Sequence, residues 1–138
     1  MISDLGTLLS NMQPVLNPGR FAFVVLPPGS GPGLNSIVAS VREPEGLSVV
    51  LPEEVALDQG LPVVFTAAWI TLTVHSDLWA VGLTAAFSTA LGQAGISCNV
   101  VAGIHHDHVF VPVEQAPMAM DVLDALQRSA AAPAFVLD

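Results

Sequence analysis

The sequence predicts an α+β fold of the split βαβ, ferredoxin-like kind, and three observations carry that prediction. Residues 70–112 read as strand, helix, strand, hairpin and strand in one uninterrupted pass. A second helix follows from Glu114, and residues 48–53 repeat the pattern of residues 108–113 at a fixed offset. The order βαββα with right-handed crossovers places both helices on one face of an antiparallel sheet.

The first strand is written in a period of two. Ile70, Leu72 and Val74 point one way, while Thr71, Thr73 and His75 point the other, as on a sheet with one buried face. Ser76 and Asp77 then offer side-chain acceptors for free backbone N–H groups ahead of a helix expected over about residues 80–94. Leu83, Phe87, Ala90, Leu91 and Ala94 recur at three- and four-residue spacing, with Val81 and Ala85 on another flank, so the apolar surface is wide. Gly95 supplies a left-handed stop. Ile96, Cys98, Val100, Ala102 and Ile104 alternate with smaller or polar residues as a second strand, residues 105–107 turn, and Val109 and Val111 alternate with His108 and Phe110 up to Pro112. In the second helix Pro117 fits only the first turn, and Ala119, Val122, Leu123 and Leu126 form the stripe to be buried.

The N-terminal half is a looser version of the same plan. Residues 3–13 read as a short amphipathic helix with Ser3 as its cap and Leu5, Leu8, Leu9 and Met12 on one side. A strand is expected at 21–26, followed by the breaker-rich Pro27-Pro28-Gly29-Ser30-Gly31-Pro32-Gly33. Residues 37–42 and 47–51 form a hairpin around Glu43-Pro44-Glu45-Gly46. Pro52-Glu53-Glu54 opens a helix that Gly60 closes, and residues 61–66 return as a strand able to run on through Ala68. The offset of 60 between Pro52 and Pro112 aligns the two hairpins, so the chain reads as two tandem units, the first lacking the helix between its first two strands.

Composition sets the outer bounds. The 138 residues suit one domain or two small ones sharing a core, with the units expected at 1–66 and 67–138, and 52% hydrophobic content supplies ample apolar surface for burial. Twelve acidic residues against three arginines and no lysine give a net charge of −9, which removes the electrostatic footprint of nucleic-acid binding and disfavours anionic membranes. A single cysteine, Cys98, excludes an intrachain disulfide framework. With no signal-like start in residues 1–15 and no long apolar span, a cytoplasmic location is expected.

Val81-Gly82-Leu83-Thr84-Ala85 entering the helix, Ala94-Gly95-Ile96-Ser97-Cys98-Asn99, and His106-Asp107-His108-Val109-Phe110-Val111-Pro112 together resemble an ACT domain. The likeness is specific over residues 65–126 and looser over residues 21–60. The chain is similar to the small free-standing tandem ACT-domain proteins, which implies a βαββαβ ACT fold in two ACT-like units, the first incomplete and helped by a shared or exchanged edge strand. The resemblance also implies a small ligand, an amino acid or related metabolite, held at the loop between first strand and helix, across an interface with another ACT unit. It places Asn99 where the fold presents amide groups to a ligand.

Read from the residues alone, His75, Ser76, Asp77, Leu78, Val81, Gly82, Leu83 and Thr84 surround free N–H donors at the positive end of a helix, a setting that suits a carboxylate, with Asp77 available to an ammonium group. The plain alternative is that Ser76 or Asp77 merely caps the helix and Gly82 merely permits close packing. His105, His106, Asp107 and His108 are good ligand types, but successive strand residues face opposite ways, so a polar hairpin turn is preferred to a metal site. Cys98 lies among Ile96 and Val100 and reads as a small core residue. Trp69 and Trp79 are expected in the core or at a subunit interface. No nucleotide-binding, hydrolase or metalloprotease motif is present, and neither cofactor nor catalytic residue is assigned. The expectation is a non-catalytic regulatory module, homodimeric, binding a small molecule. Its rivals are a small enzyme or cyclisation catalyst using His75, Asp77 or the histidine tract, and a ligand-free interaction module.

Overall fold

The computed structural model describes residues 4–29 and 31–131. In chain order the elements are α1 (Leu5–Ser10), β1 (Pro14–Leu16), β2 (Phe21–Leu26), β3 (Ala39–Glu43), β4 (Gly46–Pro52), α2 (Glu53–Asp58), β5 (Phe65–Leu72), α3 (Leu83–Gln93), β6 (Asn99–Ala102), β7 (Asp107–Pro112) and α4 (Ala116–Ala131). Short 3₁₀ turns lie at Leu34–Ser36 and Val113–Gln115.

The alternating, β-branched and aromatic residues 65–72 make β5 the axis of a seven-stranded antiparallel sheet ordered β3-β4-β2-β5-β7-β6. One edge of β5 carries β7. The other edge is divided: Phe65, Thr66 and Ala67 pair with β2, and Ile70, Thr71 and Leu72 pair with β1. One strand thus serves both halves. In the first half, β2, β3, β4, α2 and β5 form a ferredoxin-like unit in which a 3₁₀ turn stands where a helix would connect β2 to β3. In the second, β5, α3, β6, β7 and α4 form a fuller unit whose fourth strand position is filled by β1 from the N-terminus.

That return of the N-terminal segment has visible causes. Asp4 caps α1 by accepting from the Thr7 N–H at 2.9 Å, while the expected cap, Ser3, lies outside the described residues. Leu8 and Met12 are completely buried in the core under α3 and α4, together with Phe87, Leu91 and Leu123. The Gln127 amide on α4 accepts from the Gln13 N–H at 2.8 Å and donates to the Ser10 carbonyl at 3.1 Å. Asn17 holds the chain against β5 through the Trp69 carbonyl and the Thr71 hydroxyl.

All the described helices cover one face of the sheet. Ala68, Ile70, Leu72, Val109 and Val111 meet α1, α3 and α4, and Ala22, Val24, Val49 and Leu51 meet Ala56 of α2. Each fully buried aliphatic side chain contributes about 1.5–3 kcal/mol, so this layer holds most of the stability. The opposite face carries no helix among the described residues. Phe21, Phe23, Phe65, Trp69 and Phe110 pack there with centroids 5.3 Å apart for Phe21–Trp69 and 5.5 Å for Phe23–Phe110.

Several expected boundaries move. The strand expected at residues 96–104 contracts to Asn99–Ala102, because Ile96 and Cys98 turn into the helix-side core before pairing begins. Asp107 lies in β7 rather than in the turn. Trp79 is 89% exposed, which removes it from the core.

Candidate functional site

Between β5 and α3 the chain makes two tight turns before it becomes helical. The Asp77 carboxylate accepts from the Trp79 N–H at 3.0 Å, and the Ala80 N–H donates to the Asp77 carbonyl at 2.9 Å. This local bonding satisfies the backbone without a helix, so α3 starts at Leu83 and not near Ala80. Gly82 occupies the cap position with φ 105°, a conformation that disfavours any side chain. A Cβ there would also lie 3.0 Å from a methyl of Leu5 on α1. Neither Ser76 nor Asp77 holds the cap position, which falls to Gly82, a residue with no side chain to accept from the first N–H groups. Four N–H groups open every α-helix without an internal partner, and here they carry the positive end of the helix dipole.

Gly82, Leu83 and Thr84, at that end of the helix, line a cavity of about 340 Å³. Of the residues predicted from sequence, Ser76, Asp77, Leu78, Val81, Gly82, Leu83 and Thr84 line it, joined by Ala80, Ala102 and Asp107. His75 and Asn99 stand outside that lining. Asn99 is exposed on β6 and pairs with Phe110 at the opposite end of the strand from Ala102.

Ser76 and Asp107 are the buried polar residues among those described, 8% and 9% exposed, and both line this cavity. The sequence places Asp107 in a polar turn with the histidines and not with the residues of the strand–helix loop. The signal was available: the alternation of Asp107, Val109 and Val111 aims its side chain at the helix-covered face. Burial pushes its carboxyl above the usual range, opposed by the neighbouring His108.

The histidine tract divides in two. Nδ1 of His105 lies 3.0 Å from Nε2 of His75, and Nδ1 of His106 lies 3.3 Å from the Val74 carbonyl, with the three rings 5.0–6.2 Å apart. His108 instead turns to the helix-free face, where Nδ1 accepts from the Trp69 indole N–H at 3.0 Å and sits 3.1 Å from the Thr71 hydroxyl. Burial pulls the His108 pKa down, with His106 acting in the same direction. Among the described residues no three His, Cys, Asp or Glu side chains are arranged to hold a metal ion. Burial also raises the Cys98 thiol, in keeping with a packing role.

The helix-free face holds a second concavity, of about 240 Å³, floored by Phe23 and Val50 and flanked by Val25 and Val41 on one side and Val101 on the other. Val25, Val41, Val64 and Val101 are 44%, 60%, 78% and 38% exposed.

Two ferredoxin-like units that share a central strand, with a small cavity at the first strand–helix loop of the second, define the class of this protein. An ACT-domain profile matches residues 2–68 and a second ACT-domain profile matches residues 64–125, so the chain belongs to the ACT-domain family, with two such domains in tandem. A Vibrio cholerae protein of unknown function, described as a possible transport protein, is 43% identical, with 89% of this chain and 95% of that one covered at a TM-score of 0.76. An Agrobacterium tumefaciens protein shares 17% identity over 79% of this chain and 84% of its own, at a TM-score of 0.60. The ligand-free regulatory subunit of aspartate kinase from Thermus thermophilus has the same fold at 10% identity, with 82% and 95% of the two chains covered and a TM-score of 0.55. No curated protein sequence matches the chain. Among the described residues, no helix is long and apolar enough to cross a membrane.

Proposed function

We propose that the chain is a non-catalytic regulatory ACT protein that binds a small amino acid in the cavity at the start of α3 and acts through association. The observation that carries this reading is the N-terminus of an eleven-residue helix, with glycine at its cap position, lining a cavity of about 340 Å³. The space falls within the ordinary range of small-ligand sites, and the free N–H groups suit a carboxylate. His75, His105 and His106 are not among the lining residues, so the imidazoles on which the catalytic alternative leans are not gathered there. A thermal-shift screen against the proteinogenic amino acids tests it. A ligand at 100 times its Kd adds about 2.7 kcal/mol of stability, a shift of several degrees. A screen with no shift for any amino acid contradicts the proposal.

The association partner is a second copy, seated on the helix-free face. Leu83, Phe87 and Leu91, the large apolar residues of α3, are buried within the chain, whereas Val25, Val41, Val64 and Val101 rim an apolar concavity that a like surface could fill by two-fold pairing. Sedimentation of the wild type as a dimer and of Val41→Glu as a folded monomer supports this. A monomeric wild type at micromolar concentration refutes it.

A further inference from the structure

We infer that Asp107 is the ammonium receptor of the α3 cavity, so that the site selects α-amino acids and rejects the 2-hydroxy and 2-oxo acids of the same side chain. The inference rests on the amino-acid reading proposed above and assigns the amine to one residue.

Asp107 is 9% exposed, and what remains open faces the cavity. Burial and the charge of His108 act on its carboxyl and no hydrogen bond from a described residue does, so its oxygens are left to the cavity that it lines. Nor do the side chains of the described residues supply a cation here. The chain contains no lysine, and of its arginines Arg20 is paired with Glu53, Arg42 lies on the outer strand β3, and Arg128 sits in the last turn of α4. Among the described residues, the titratable groups near Asp107 are His108, whose ring faces the other side of the sheet, and Asp77, a second carboxylate in the same lining. Asp77 already spends one oxygen on the Trp79 N–H. A carboxylate held in this way, in one cavity with the start of a helix, has the charge pattern of a zwitterion turned inside out. The helix start takes the ligand carboxylate, and Asp107 takes the ammonium. A metal cation fits less well, since hard cations require several converging oxygen ligands and none are assembled.

The experiment is calorimetric titration of the full chain and of Asp107→Asn with each proteinogenic L-amino acid, and then with the 2-hydroxy acid matching each ligand found. Asparagine keeps the shape and removes the charge. The expected results are a wild type that prefers the amino acid to its hydroxy analogue by about 10- to 100-fold, and a variant that loses about that factor for the amino acid and no longer discriminates. Gly82→Ala separates the two readings. An amino acid that is lost on Gly82→Ala but binds Asp107→Asn as tightly as wild type leaves the site standing and overturns the role of Asp107. Equal binding of amino and hydroxy acid by the wild type does the same. Absence of binding by any amino acid overturns both.

Discussion

Truncating Leu8 to alanine tests whether the N-terminus completes the second ACT unit. Leu8 is fully buried, and it lies on a six-residue helix too short to persist without its packing. Its neighbours in the core include Met12, Phe87 and Leu123, fixed by β5, α3 and α4, so the cavity left behind cannot readily collapse. Leu→Ala changes at such sites cost about 2–5 kcal/mol, and a value of about 3 kcal/mol corresponds to a fall of roughly 10–15 °C in Tm for a chain of this size. Denaturant unfolding gives the magnitude, and hydrogen exchange gives the location. The fold predicts lost protection in β1, in the Ile70–Leu72 part of β5, and at the facing ends of α3 and α4. A loss below 1 kcal/mol, or protection lost only in β2, β3 and β4, would refute the assignment of this segment to the second unit.

Three other outcomes follow from the same geometry. Asp107→Asn should stabilise the unliganded protein at neutral pH: its folded pKa lies above the unfolded value, so the ionised form costs stability as pH rises through the folded value, and thermal unfolding from pH 4 to 8 should show the variant with the flatter profile. His108 has the opposite sign of linkage. Its pKa is depressed from 6.5, so its contribution is intact above the unfolded value and lost as pH falls through the lowered folded one, and Trp69 fluorescence should report the loss of the indole hydrogen bond over that window but not in His108→Gln. Gly82→Ala should cost about 1–2 kcal/mol by denaturant unfolding, because alanine at φ 105° is strained whatever room Leu5 makes.

Much of this architecture was legible because it is written in short periods. The alternation through Ile70 and Leu72, and through Val109 and Val111, fixed two neighbouring strands, and the spacing of Leu83, Phe87 and Leu91 fixed the helix between them. The offset of 60 between Pro52 and Pro112 corresponds to β4 and β7, each ending on its proline before a turn into α2 or α4. What escaped depended on partners distant in sequence. Pro14, Val15 and Leu16 are too few for a period, and only the register against β5 makes them a strand. The start of α3 was displaced because Asp77 closes a local turn in competition with the helix. The alternation with Val109 and Val111 places Asp107 on the helix-covered face, whereas its adjacency to His105, His106 and His108 suggests one polar cluster, a tract that the fold divides between the two faces of the sheet.

The most direct test is an amide-resolved NMR titration of the full chain with the tightest-binding amino acid. A ligand seated at the start of α3 gives its largest shifts at the Leu83, Thr84 and Ala85 amides and at Asp107, saturating together at one ligand per chain. Shifts gathered instead on Val25, Val41 and Val101, or none with any amino acid, would contradict that placement.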